Sequence, residues 1–194
     1  MAGINWDVVF YIDLNTLQPA QSGVPVPTYG NYGGAGYSEG VFGPPVAPYV
    51  PPVDALDNLF LTHDVASYAA TTPGQQAEAD LALLQGIVAL NPAQLDPEAS
   101  LYGGFAALAM IEQLAANNAL DLLSPQKLAC ASQEAVSDIE NGLARLDAAE
   151  LNAARNWLGQ AAAVTSLTTG DALGTSGLEL HLPGFHVPHG DWSL

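Results

Sequence analysis

A chain of 194 residues, 49% of them apolar, is long enough for one domain with a true core, which excludes a wholly disordered chain. Only Lys127, Arg145 and Arg155 stand against 20 acidic residues, and a net charge of -17 repels phosphate backbones and offers no basic patch to an anionic membrane, so nucleic acid is not an expected partner. A single cysteine, Cys130, excludes an internal disulfide.

Residues 1–17 carry one short apolar run, Val8 to Ile12, suited to a strand or a packed extended segment. It lacks the plan of a secretory signal, since Asp7 and Asp13 flank it and no Lys or Arg precedes it. The expectation is therefore export without a standard signal peptide, or a mature or excised form, with a cytoplasmic home left open. Residues 18–53 are dense in Pro, Gly and Tyr, which argues against a long helix or a central strand and for an ordered functional loop. Helical periodicity then begins. Asp54 is positioned to cap a first helix ending near Ala70, with Asp57 in its first turn and Leu56, Leu59, Phe60 and His63 on one face. A second helix is predicted from about Gln75 to Leu90, before Asn91-Pro92. A third follows Asp96-Pro97 and runs to about Ala119, with Gly103-Gly104 as a weak point or a close contact. Ser124-Pro125 opens a fourth, in which Cys130 reads as a small core residue, and Asp147 with Glu150 opens a fifth. Residues 166–194 read as irregular. They hold His181, His186, His189 and Asp191, a loose metal-like cluster whose spacing fits no strong zinc pattern and reads as structural or incidental. No run is long enough to span a bilayer.

Three local patterns carry chemistry. Tyr29-Gly30-Asn31-Tyr32-Gly33-Gly34-Ala35-Gly36 is a glycine loop that can turn successive carbonyls or amides inward, which suits a hard cation; most such loops are plain turns. Pro52-Val53-Asp54-Ala55-Leu56-Asp57 opens the first helix, and His63-Asp64 lies on it. Adjacent helical residues point about 100° apart, so the pair can serve two tasks at one cleft: His63 as a base near neutral pH, Asp64 as a metal ligand. Alone, a histidine on an apolar helical face is more often a satisfied core residue.

Together the three patterns resemble the secreted phospholipase A2 family, whose loop reads Y-G-x-Y-C-G-x-G and is followed by P-x-D-x-x-D and H-D on the same helix. The intervals Pro52 to His63 and Asp57 to His63 match without gaps. Gly33, Leu59, Phe60 and Ala66 stand where familiar members have cysteine, so small or apolar residues replace the staples. The resemblance implies an all-α fold: a phospholipase A2-like antiparallel helix pair carrying the His-Asp site, with additional helices and long Gly/Pro-rich loops. It implies calcium (Ca2+) held by the carbonyls of Tyr32, Gly34 and Gly36 and the carboxylate of Asp64. It implies that His63 activates a water against the sn-2 ester of a glycerophospholipid at a membrane or micelle surface, with the Gly34 amide as oxyanion donor. The family's second aspartate is assigned to Asp80, which shares a face with Leu84 and Ile87; a solvated first-turn acid is the alternative, and Asp138 and Asp121 are weaker candidates.

The match departs in places. The segment Ser38 to Pro51 is extra, and reads as a lid, an interfacial patch with Val41, Phe42 and Tyr49, or a plain surface excursion. Ser67 stands where the family has a helix tyrosine, with Tyr68 one residue later, and lysines are few. The resemblance covers Tyr29 to Ile87. The expected organisation is a single domain, residues 1–194, with residues 29–90 holding the loop and catalytic helices, 97–165 the additional helices and 166–194 the irregular end. Competing readings are a non-catalytic calcium- or lipid-binding module of the same fold, and an acidic helical interaction domain. Oligomeric state is not legible.

Overall fold

The computed structural model describes residues 3–13, 18–21 and 23–165. The C-terminal cluster of His181, His186, His189 and Asp191, and the irregular segment 166–194, lie outside them.

The described chain is mostly helical, with helices α1 (Ala55–Ala69), α2 (Pro73–Val88), α3 (Pro97–Ala116), α4 (Pro125–Arg145) and α5 (Ala148–Thr165). Their starts follow the expected chemistry. The Asp54 carboxylate accepts from the Asp57 amide, and Thr72 and Ser124 cap α2 and α4 with proline in the first turn. Asp147 accepts from the amides of Ala149 and Glu150, while Glu150 accepts from the Asp147 amide, a reciprocal cap on α5.

The run Val8 to Ile12 lies in a strand, as its pattern allowed, while residues 18–53, expected as loop, supply its partner strands. Strand β1 (Ile4–Asp13) pairs antiparallel with β2 (Gln18–Ala20) on one side and β3 (Val24–Tyr29) on the other. β3 holds Pro25 and Pro27, which an edge strand tolerates because no neighbour needs their missing amides. Their carbonyls are used instead: Tyr102 of α3 donates to Pro27 O at 3.0 Å, and the Trp157 indole of α5 donates to Pro25 O. A two-residue hairpin, β4 (Tyr37–Ser38) and β5 (Val41–Phe42), sits inside the extra segment.

α1, α2, α3 and α4 share one core that includes Leu56, Leu84, Ile87, Leu101, Ile111 and Ile139. Gly104 and Gly142 set the closeness of α3 and α4. A Cβ on Gly104 would lie 2.5 Å from the Ala135 carbonyl oxygen, and one on Gly142 would lie 2.6 Å from the Leu101 amide nitrogen. Gly104 is therefore a close contact rather than a break. α4 buries Ala131, Ala135, Asp138, Ile139 and Gly142, and this leaves Cys130 exposed, contrary to its reading as a core residue. No described helix is long and apolar enough to cross a membrane.

Candidate active site

The glycine loop is fastened to the start of α1 by two aspartates. Asp57 is fully buried, and its carboxylate accepts from the amides of Asn31 at 3.0 and 3.1 Å, Tyr32 at 2.9 Å and Val53 at 2.9 Å. Burial raises its pKa, and these amides work against that rise. Asp54, besides capping the helix, accepts from the Tyr29 hydroxyl. Gly30, at φ +54°, lies so close to Asp57 that a Cβ would meet the carboxyl at 2.6 Å. A side chain there is excluded by both backbone and neighbour. The spacing of Asp54 and Asp57 thus makes a clamp for the loop, beyond the dipole role the sequence suggested for Asp57.

α1 and α2 are joined by three residues and run antiparallel. His63 meets Asp80, and Ser67, four residues later on α1, meets Gln76, four residues earlier on α2. The His63 Nε2 lies 2.9 Å from Asp80 Oδ1. Asp80 is fully buried, so it is not the solvated acid of the alternative reading. Its Oδ1 also accepts from the Gln76 amide at 2.9 Å, and the Gln76 Oε1 accepts from the Ser67 hydroxyl at 2.8 Å. Ser67, Gln76, Asp80 and His63 form a continuous chain. Tyr68 is outside it and points to solvent, 70% exposed. Asp121 is exposed on the turn before α4, and Asp138 is buried on α4 beside Ser100; neither meets His63. Gln76 and Ser67 were not foreseen. The one available signal was that each sits four residues from a member of the pair, one helical turn.

The other ring nitrogen, Nδ1, is 3.9 Å from Asp64 Oδ1. Burial acts to lower the pKa of His63, but the carboxylates of Asp64 and Asp80 outweigh it and push the ring up to about 9. Asp64 is also raised, by burial first, with His63 and the Ser38 hydroxyl acting the other way. That hydroxyl donates to Asp64 Oδ2, so the extra segment touches the site directly.

One cavity of about 900 Å³ gathers these parts, lined by Tyr32, Gly34, Gly36, His63, Asp64, Ser67 and Gln76. It continues between β1, β3 and α3 past Trp6, Val26, Leu101 and Phe105. Its lining is mostly apolar away from the histidine. Among the described residues the Gly34 amide makes no hydrogen bond within the chain, while the Gly34 carbonyl accepts from Tyr37 at 3.1 Å and the Gly36 carbonyl from Gly43 at 2.8 Å.

The donor set can be tested against calcium. All of it is oxygen, as a hard cation requires. Among the described residues no group of three or more His, Cys, Asp or Glu side chains is arranged to hold a metal ion, so a cation at Asp64 would lean on carbonyls. The Gly34 and Gly36 carbonyls each keep one lone pair beyond the bond they accept. The donor types are those a hard cation takes. Two positions that the resembled family fills with cysteine also lie together: a Cβ on Gly33 would be 3.1 Å from the Phe60 ring.

Compared with known proteins, the chain matches no family model, no curated protein and no solved structure.

Proposed function

We propose that the chain is a calcium-dependent phospholipase A2, hydrolysing the sn-2 ester of glycerophospholipids. The observation that supports this most is the pairing of His63 with the buried Asp80, 2.9 Å apart, at the head of a largely apolar cavity that Asp64 and Gly34 also line. Asp80 accepts from Nε2 and so, once Asp64 is neutralised, leaves the Nδ1 lone pair to take a proton from a water in the cavity. The Gln76 amide holds Asp80 in place, and Ser67 fixes which way that amide points. The Gly34 N–H, without an acceptor among the described residues, can donate to an ester oxygen that gains negative charge. Apolar walls around Phe105 and Trp6 favour acyl chains and exclude bulk water. Calcium, held by Asp64 and the carbonyls of Tyr32, Gly34 and Gly36, would supply positive charge to the same oxygen.

A second reading has one observation in its favour. With Asp64 free, the histidine holds its proton to about pH 9, and a protonated imidazole is no base. A chain that never neutralises Asp64 would bind lipid without turnover. Hydrolysis of an sn-2-labelled phosphatidylcholine with calcium, with chelator and in His63→Ala separates the two. The phospholipase reading expects fatty-acid release that needs both the ion and the ring; the binding reading expects none under any condition.

A further inference from the structure

Residues Ser38 to Pro51 fall outside the three patterns, yet they are built into the site. Ser38 donates to Asp64, and the Gly43 and Gly40 amides donate to the Gly36 and Asn31 carbonyls at 2.8 and 2.9 Å. The return limb is held by the Asn31 side chain on Pro51 O, at 3.0 Å, and by the Tyr32 hydroxyl on Val50 O. Gly43, Pro44 and Pro45 line the same cavity as His63. A segment so well fastened would be expected to tuck its apolar side chains inward. It does the reverse: Val41, Phe42 and Val46 are 62%, 53% and 59% exposed, with Tyr49 and Val50 beside them in sequence also exposed. Apolar side chains that cluster in the open mark an interaction surface.

The charge on the page selects the partner. Between Gly36 and Val53 the only charged side chain is Glu39, in a protein of net charge -17 whose three cations are far along the chain on α4 and α5. An apolar rim with a single acid and no cation, on a strongly acidic body, suits an aggregate without net surface charge and is repelled by an anionic one. We infer that the segment 38–51 docks the cavity mouth onto a zwitterionic phospholipid surface, of phosphatidylcholine type, and discriminates against anionic bilayers. This deepens the lipid-ester reading and rests on it for the substrate, but the docking step does not involve His63.

The test is co-sedimentation of the full chain with vesicles of non-hydrolysable diether phosphatidylcholine, against the same vesicles containing one-third diether phosphatidylglycerol. It is run for the native chain and for Val41→Asp/Val46→Asp. Both side chains are open to solvent and neither lines the cavity, so folding is retained, as circular dichroism would confirm. The native chain is expected to partition onto phosphatidylcholine at least tenfold more than the variant and more than onto the anionic mixture. Hydrolysis of a short-chain phosphatidylcholine below its micelle concentration is expected to be equal in the two chains. Equal partitioning of both chains, preference for the anionic vesicles, or no binding to any vesicle would each overturn the docking surface. Loss of monomer hydrolysis in both chains while the vesicle difference persists would instead count against the ester chemistry alone.

Discussion

At the scale of single residues, one carboxylate oxygen does most of the organising. Asp80 Oδ1 takes both the His63 Nε2 and the Gln76 amide, and its burial makes that pairing costly to disturb. Removing the ring in His63→Ala should lower kcat by about 10²- to 10⁴-fold, the range for losing a general base. Gln76→Ala touches no substrate atom. It should lower kcat by about tenfold with little change in KM, the size seen when a supporting hydrogen bond behind a working group is lost. Steady-state kinetics on a monomeric ester distinguish the two, and equal loss in KM would contradict the supporting role of Gln76. A different residue reports on stability. Burial, and then the Glu134 carboxylate one turn away, push Asp138 up to about 6, and its Oδ1 meets no donor among the described residues. An acid raised in the folded state weakens the fold when charged. The cost is absent below about pH 4, grows as the pH rises through 6 and is complete above it. Asp138→Asn should therefore raise unfolding free energy at pH 8 by on the order of 2 to 3 kcal/mol and change it little at pH 4, as read by urea melts.

At the scale of elements, the loop and α1 behave as one piece because Asp57 replaces solvent for two loop amides and for that of Val53. Asp57→Ala would strand those donors and should cost about 3 kcal/mol, with the loss of calcium binding accompanying it. A stable variant with intact ion binding would contradict the clamp. Much of this level was readable in the sequence. Capping residues at Asp54, Ser124 and Asp147 act locally, so their chemistry shows in the string, and all three caps form. Asp80 was a candidate partner for His63 through the resemblance and the face it shares with Leu84 and Ile87, and the three-residue connection, by running the two helices antiparallel, lets the pair meet. The sheet was not. β3 carries two prolines within six residues, a pattern that suits only an edge strand, and edge position is a property of the whole sheet. Gln76 was missed for a related reason: a polar first-turn residue looks solvated until the opposite helix is known. Cys130 was misjudged because its neighbours are apolar in sequence, while the buried stripe of α4 passes beside it.

At the scale of the whole molecule, a chain of net charge -17 with a site that would hold a divalent ion couples folding to that ion. Any ligand bound only by the folded chain stabilises it, by about 2.7 kcal/mol at a hundredfold excess over its Kd. Calcium should therefore raise the melting temperature beyond what sodium chloride of equal ionic strength does, since salt only screens the self-repulsion. Asp64→Ala should abolish the difference and leave the salt effect. A calcium effect that survives Asp64→Ala would place the ion elsewhere on the acidic surface.

The most direct measurement is fatty-acid release from a phosphatidylcholine labelled in the sn-2 chain, by the native chain and by His63→Ala, each with calcium and with chelator. The account predicts release by the native chain with calcium only. Release by His63→Ala, release that persists in chelator, or no release from the native chain with calcium present would contradict it.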